Sequence, residues 1–194
     1  LQLFGQRVEP SQRWLLFGFG KIGSGVGIKL KATGAQVEVV ESRSMRDRLQ
    51  QTPVGAFPFI DMTDREAVVA AVQRATHIVT ATSVAGVISR SYPVEPFLQG
   101  QVLVNIGAED EYGEKFPESA VLNRKVAINF ALEEPTHLRY IETTFALQNA
   151  GLEWILHHPE AHGIVTPSET MQEQLLDIVR REGAIADELQ LIGL

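Results

Sequence analysis

Short apolar runs alternate along this chain with longer segments in which apolar residues recur every three or four positions. The runs predict strands at residues 14–17, 36–40, 57–60, 77–82, 101–107 and 125–130. Between two of them, Val68, Val69 and Val72 follow an acidic helix start and face one side of a predicted helix. Strands that alternate with helices indicate an α/β domain with a mainly parallel sheet.

The first strand leads directly into a glycine-rich turn. Residues 18–23 have the order Gly-Phe-Gly-Lys-Ile-Gly, which is the Gly-x-Gly-x-x-Gly pattern of dinucleotide-binding turns. Gly18 would permit a tight turn, Gly20 a close approach of a pyrophosphate to the backbone, and Gly23 close packing of helix on strand. The pyrophosphate would then lie at the positive N-terminal end of the next helix.

The residues after the turn fit this interpretation. Ile22, Val26 and Leu30 have helical spacing, Gly34 ends the helix, and a β-branched strand follows that ends at Glu41. An acid about 20 residues after such a turn binds the ribose hydroxyls of the cofactor. The predicted fold class is therefore a doubly wound Rossmann sheet with helices on both faces.

Glu41 also bears on the choice of cofactor. A carboxylate at this position repels a 2′-phosphate and favours NAD over NADP. Arg43 could meet a 2′-phosphate, stack on adenine or face solvent, and the sequence leaves these roles open. We expect NAD. A glycine-rich turn that binds nothing is the structural alternative.

The carboxyl ends of parallel strands meet at one crevice, where ligands of such sheets bind. This rule brings Gly18, Glu41, Thr82 and Asn105 together. The candidate cofactor-binding residues are Gly18, Phe19, Gly20, Lys21, Ile22, Gly23, Glu41, Ser42, Arg43, Thr80, Ala81, Thr82 and Asn105.

Residues 14–112 resemble the NAD-binding domain of S-adenosylhomocysteine hydrolase, within the superfamily that includes the 2-hydroxyacid dehydrogenases. The turn with Glu41, the strand end 79–82 and the sequence Asn-Ile-Gly at 105–107 carry the resemblance. It implies phosphate contacts at 18–23, adenosine ribose at Glu41, and nicotinamide-side contacts at 80–82 and Asn105.

The chain also departs from those families. Ala108 stands where the hydrolases have histidine, and 82–84 are Thr-Ser-Val where they have Thr-Gly-Asn. The arginine that the dehydrogenases place shortly after Asn105 has no counterpart in 106–110. The resemblance therefore concerns the cofactor domain, and the catalytic residues stay unknown.

Three other groups of residues could carry chemistry. Glu109, Asp110 and Glu111 follow a strand end and could act as acid and base, but a solvated acidic loop is the preferred interpretation. His157, His158 and His162 could suggest a metal, yet no carboxylate joins them at ligand spacing, so we expect none. His137 could carry a proton or cap a helix.

The last third of the chain has a helical pattern. Residues 135–156 carry two apolar faces, one with Leu138 and Phe145 and the other with Leu147 and Trp154. A second helix is predicted after a capping Thr166. We thus expect a dinucleotide-binding domain at 1–134 and, at 135–194, a crossing helix with a helical appendage outside the sheet. The two apolar faces imply burial, a homodimer or a substrate domain N-terminal to this chain. We expect a two-fold homodimer formed by residues 135–156, whose face with Leu147 and Trp154 would otherwise be exposed, and by the helix after Thr166.

Composition excludes several classes of partner. With 24 acidic and 17 basic residues the net charge is −7, which disfavours nucleic acid and anionic membranes. No apolar stretch has the length of a bilayer span. The absence of cysteine fits a cytoplasmic location.

Residues 1–5 lack a starting methionine and suggest the end of a helix, so we expect a fragment of a longer protein.

Two functions remain open at this point. The chain is either the NAD-binding module of an oxidoreductase, in which the nicotinamide supplies the chemistry, or a non-catalytic NAD-binding protein with a structural or sensing role.

Overall fold

A computed structural model describes residues 2–3, 6–131 and 136–191. The chain divides into two compact units, Leu1–Glu133 and Glu134–Leu194. The first unit opens with a two-stranded antiparallel ribbon of β1 (Gln2–Leu3) and β2 (Gln6–Arg7). The predicted helix end at residues 1–5 is therefore wrong at positions 2–3, and positions 1, 4 and 5 lie outside the described residues.

A five-stranded parallel sheet forms the body of the first unit. Its strands are β3 (Arg13–Phe17), β4 (Gln36–Glu41), β5 (Phe59–Asp61), β6 (His77–Thr80) and β7 (Val102–Asn105). They stand in the order β5-β4-β3-β6-β7 and all four pairings are parallel. The first strand of the sheet is thus central, with later strands added on either side. This is the doubly wound Rossmann order, and it confirms the predicted fold class.

Helices cover both faces of this sheet. They are α1 (Lys21–Ala32), α2 (Arg46–Gln50), α3 (Arg65–Arg74) and α4 (Val87–Ser91). Leu15 and Phe17 point to one face and form a core with Val68 and Val72 of α3. Leu16 points to the other face, where α1 approaches so closely that a Cβ on Gly27 would lie 3.3 Å from its side chain. Alternation along β3 therefore divides the core into two layers.

The strand predicted at 125–130 is wrong. Residues 122–125 form a tight turn and residues 128–131 form a short 3₁₀ turn instead. Asn123, Arg124 and Lys125 all have positive φ, a conformation that no strand contains. The Asn123 side chain donates to the carbonyls of Val126 and Ala127 at 3.4 and 3.2 Å, which favours a local turn over a strand ladder.

The second unit contains α5 (Leu138–His157), α6 (Glu169–Glu182) and α7 (Ala186–Leu191). The start of α6 differs from the prediction. Ser168, and not Thr166, is its N-cap, because the Ser168 hydroxyl accepts the N–H of Met171 at 3.2 Å.

The two apolar faces of α5 differ in exposure. Leu147 and Trp154 are half-buried, and Trp154 lines a hollow of about 370 Å³ together with Met171. Leu138, Phe145 and Leu152 recur at heptad spacing on the other face and are 67%, 45% and 59% exposed. The exposed face is therefore the one with Leu138 and Phe145. Across the described residues, no helix combines the length and apolar character that a bilayer crossing requires.

Candidate functional site

A crevice of about 560 Å³ lies beyond the carboxyl ends of β3, β4 and β6. Residues from the glycine-rich turn, the three strand ends and the start of α4 surround it. They are Phe17, Gly18, Gly20, Lys21, Ile22, Val40, Glu41, Met62, Ala81, Thr82, Ser83, Val84, Val87, Ile88 and Tyr92. The crevice sits where the strand order reverses between β3 and β6, which is the expected ligand position of a doubly wound sheet.

Gly18 allows the two central strand ends to touch. Its φ is +91°, and a Cβ there would lie 2.4 Å from the carbonyl oxygen of Ala81. The N–H of Ala81 in turn donates to the carbonyl of Phe17 at 2.8 Å. Both the backbone conformation and the close approach therefore require glycine at position 18.

Gly23 has a similar structural role, and Gly20 does not. A Cβ on Gly23 would lie 2.1 Å from the carbonyl oxygen of Gly18, so the first turn of α1 packs directly on the glycine-rich turn. A Cβ on Gly20 would meet no atom within 4 Å, and the φ of this residue is −69°. The protein itself thus gives no packing or conformational reason for glycine at position 20, which faces the crevice.

The N-terminus of α1 is electropositive. Gly20 is the N-cap and provides no side-chain oxygen to the free N–H groups of the first turn. That turn contains no acidic residue, and Lys21 lies at its first position. Uncapped N–H groups together with the helix dipole favour an anion at this end of the crevice. The side chain of Phe19 anchors the turn in the protein core, because its buried ring packs against that of Phe57 with a centroid distance of 5.1 Å.

The carboxylate of Glu41 joins the strand end to the turn. One oxygen accepts the N–H of Phe19 at 2.8 Å, and the other accepts the N–H of Ser42 at 2.7 Å. Glu41 also lines the crevice, and each carboxylate oxygen can accept a further hydrogen bond. The Ser42 hydroxyl lies 2.8 Å from that of Ser44.

Arg43 lies outside the crevice. It lines a second hollow of about 510 Å³, here called the outer hollow, with Arg46, Phe59, Ile60, Asp61, Asp64 and Ala67. Its guanidinium pairs with Asp61. Hydrogen bonds from the N–H and hydroxyl of Thr63, together with Arg43, lower the pKa of Asp61 to about 2.

Thr80 and Asn105 lie beneath the crevice and not along it. They are 0% and 1% exposed, and the Thr80 hydroxyl donates to the Asn105 side-chain oxygen at 3.1 Å. The Asn105 amide donates to the carbonyls of Glu109 and Lys125 at 2.8 and 2.7 Å. The structure therefore brings Ala81 and Thr82 to the crevice and leaves these two side chains engaged by protein groups.

Glu111 supports the crevice from inside the protein. It is 0% exposed, and its carboxylate accepts the N–H of Thr82, the hydroxyl of Thr82 and the N–H of Ser83 at 2.8, 2.8 and 2.6 Å. Ser83 has a positive φ of 60°. The preferred interpretation of 109–111 as a solvated acidic loop is thus wrong for Glu111. A Cβ on Gly107 would lie 2.1 Å from this carboxylate, so glycine at position 107 leaves room for the buried side chain of Glu111.

Two of the histidine candidates lie close to backbone carbonyls of α5. The Nδ1 atoms of His157 and His158 lie 2.8 Å from the carbonyls of Glu153 and Trp154. The ring of His137 lies 6.3 Å from that of Tyr140. Within the described residues, no group of three histidine or acidic side chains could hold a metal ion.

Comparisons with known proteins give structural neighbours at low identity. No family model and no curated protein matches this chain. Among solved structures, it is similar to a dipicolinate synthase subunit from Bacillus halodurans, with 14% identity, a TM-score of 0.39 and coverage of 60% of this chain and 37% of that one.

Two further structures are similar in the same way. A cinnamyl alcohol dehydrogenase from Sorghum bicolor has 20% identity, a TM-score of 0.45 and coverage of 89% of this chain and 46% of that one. A D-lactate dehydrogenase from Sporolactobacillus sp. has 17% identity, a TM-score of 0.39 and coverage of 62% and 34%. The chain spans less than half the length of each of these structures. The fold assignment comes from the strand order described above.

Proposed function

We propose that this chain is an NAD-binding module of an oxidoreductase that is similar to S-adenosylhomocysteine hydrolase or to the dehydrogenases. The proposal rests on the crevice and its residues. The expected compartment is the cytoplasm.

The open position at Gly20 is the observation that carries this proposal. Gly20 lines the crevice, and the fold needs a glycine there for neither packing nor conformation, so a ligand in the space in front of it would explain the residue. The uncapped N-terminus of α1 provides N–H donors for a pyrophosphate at the same place. Glu41, at the end of β4, provides acceptors for ribose hydroxyls. Anion donors, open space and a ribose acceptor therefore border one crevice, which supports the proposal.

Each group of residues would then have a separate task. The turn 18–23 would bind the phosphates, Glu41 would orient the adenosine ribose, and Ala81 and Thr82 would border the nicotinamide end. Glu111 would hold Thr82 and Ser83 in place from below. When bound, the nicotinamide supplies hydride transfer, while the protein fixes its position and excludes water.

Calorimetric titration of the chain with NAD and with NADP tests the proposal. We expect NAD to bind more tightly, because the Glu41 carboxylate repels a 2′-phosphate. Equal or tighter binding of NADP would contradict the preference, and no binding of either dinucleotide would contradict the function itself.

A non-catalytic role is the second candidate, and one observation favours it. Among the described residues, the titratable side chains that line the crevice are Lys21, Glu41 and Tyr92. Burial raises the pKa of Tyr92, and its hydroxyl donates to the carbonyl of Met62 at 2.8 Å. Lys21 and Glu41 belong to the glycine-rich turn and to the end of β4. Of this described set, only Tyr92 is left as an acid or base elsewhere in the crevice, and its hydroxyl is already hydrogen-bonded. Reduction of bound NAD by small hydroxy compounds, followed at the absorbance of the reduced nicotinamide, would distinguish an enzyme from a sensor.

We also propose that the chain forms a homodimer through α5. The side chains of Leu138, Phe145, Leu152 and Leu156 make an apolar stripe that the helices of its own unit leave exposed. Exposed apolar stripes of this kind mark interaction sites, and two-fold pairing is the commonest arrangement of homo-oligomers.

A further inference from the structure

Two carboxylates stand side by side at the adenosine end of the sheet. Glu41 and Asp61 are the last residues of β4 and β5 and are partners in the parallel register. Residues in register on adjacent strands point to the same face of the sheet. Glu41 lines the crevice, while Asp61 lines the outer hollow.

The Asp61 carboxylate is held in a fixed orientation. One oxygen accepts the N–H and the hydroxyl of Thr63 at 2.9 and 2.7 Å, and the other accepts the Arg43 guanidinium. The side chain of Asp61 is 12% exposed and that of Arg43 is 84% exposed. The pair therefore consists of a largely buried acid and an exposed cation.

The stability of the fold does not explain this pair. An ion pair with one strongly exposed partner contributes little to stability. Its evident effect is on position, because Arg43 lies in the outer hollow and does not line the crevice with Glu41. An arginine two residues after the ribose-binding acid is of the type that accommodates a 2′-phosphate.

We propose that Asp61 is a second cofactor-selecting residue, which holds Arg43 in the outer hollow and so prevents its guanidinium from meeting a 2′-phosphate. The proposal rests on the proposed dinucleotide-binding function. Glu41 would repel the 2′-phosphate directly, and Asp61 would remove the cation that could compensate for that repulsion.

Calorimetric titration of the full chain and its variants with NAD and NADP tests this role. Asp61→Asn removes the charge that holds Arg43 but keeps an oxygen for Thr63. We expect this variant to bind NADP about tenfold more tightly, with NAD affinity within about threefold of the native value. Arg43→Ala alone should leave NADP binding unchanged, and Asp61→Asn with Arg43→Ala should lose the gain.

Asp64→Asn is the matched control. Asp64 lines the same hollow, and its carboxylate accepts the N–H of Ala67 at the start of α3. Asparagine caps a helix as well as aspartate does, so this variant removes an equal charge without releasing Arg43. Circular dichroism verifies that each variant is folded.

The outcomes separate the two proposals. An unchanged ratio of NADP to NAD affinity in Asp61→Asn overturns the role of Asp61 while leaving dinucleotide binding intact. An equal gain in NADP affinity in Asp64→Asn overturns it as well, and so does a gain in Asp61→Asn that persists when Arg43 is also removed. In both cases the loss of a negative charge near the hollow, and not the release of Arg43, would be the cause. A loss of NADP affinity in Arg43→Ala alone would overturn it too, since Arg43 would already reach the 2′-phosphate. Absence of binding to either dinucleotide in the native chain overturns both proposals.

Discussion

The carboxylate of Glu41 accepts the backbone N–H of Phe19 at 2.8 Å, so the end of β4 is tied to the glycine-rich turn that follows β3. The glycine-rich turn and the end of β4, which are about 20 residues apart in the chain, thereby form one hydrogen-bonded edge of the crevice. Substitutions of Glu41, Gly20 and Glu111 test whether this edge binds a dinucleotide and stabilises the fold. Each is compared with another residue of the same type.

Truncation of Glu41 tests the ribose acceptor. Glu41→Ala should weaken NAD binding by about 1 to 3 kcal/mol, the range for loss of a charged hydrogen-bond acceptor. Glu38→Ala is the control, because Glu38 lies on the same strand but pairs with Arg74 at 2.9 Å and does not line the crevice. Calorimetry measures both, and equal losses in the two variants would mean that Glu41 has no specific contact with the ligand.

A side chain at Gly20 tests the phosphate position. Gly20→Val should abolish dinucleotide binding and leave the domain folded, because position 20 is open and its φ suits any residue. Gly25→Val is matched to it, since a Cβ on Gly25 in α1 also meets no atom within 4 Å, but Gly25 does not line the crevice. Unchanged affinity in a folded Gly20→Val protein would show that the turn is structural.

Removal of Glu111 tests the support of the crevice. Glu111→Ala leaves the N–H groups of Thr82 and Ser83 without their buried acceptor, so the free energy of unfolding should fall by about 3 kcal/mol or more. Glu109→Ala should change it by less than about 0.5 kcal/mol, because that side chain is exposed. Urea unfolding followed by circular dichroism compares the two, and similar values would argue against the structural role of Glu111.

The stability of the first unit should depend on pH through His77. Burial lowers the pKa of His77 below its ordinary value of 6.5. As pH falls below 6.5, the unfolded chain takes up a proton at this residue before the folded chain does, so stability decreases. His77→Phe keeps the stacking on Trp14, whose ring lies 4.3 Å away, and removes the proton site.

We expect the His77→Phe protein to lose less stability than the native protein between pH 6.5 and about 5. Urea unfolding across this range measures the difference. His162→Phe is the control, since His162 is exposed and should leave the pH dependence as it is. Parallel curves for the native and His77→Phe proteins would rule out His77 as the source.

A charge on the exposed stripe of α5 tests self-association. Leu152→Glu should convert a dimer to a monomer, because it places a carboxylate among apolar side chains at the interface. Thr144→Glu adds the same charge at an exposed polar position away from this stripe and should leave the dimer intact. Analytical ultracentrifugation over a concentration series measures both, and a native chain that is monomeric throughout would contradict the proposal.

The alternation of strands and helices in the first unit was determined by local sequence. The periods of 2 and 3.6 residues and the glycines at a strand end depend on neighbours close in the chain, so the sequence alone predicts the doubly wound sheet. The position of Glu41 at the end of β4 followed from the same pattern.

The polar partners of the site were decided only by the tertiary structure. Thr80 and Asn105 pair with each other beneath the crevice, Glu111 is buried under Thr82, and Arg43 pairs with Asp61. These contacts join residues far apart in the chain. A buried polar side chain forms hydrogen bonds with the groups that the folded chain brings within about 3 Å of it. Three left-handed residues at 123–125 likewise replaced a strand that the apolar run predicted. Local pattern therefore determined where the site lies, and long-range hydrogen bonds determined which of its side chains face the ligand space.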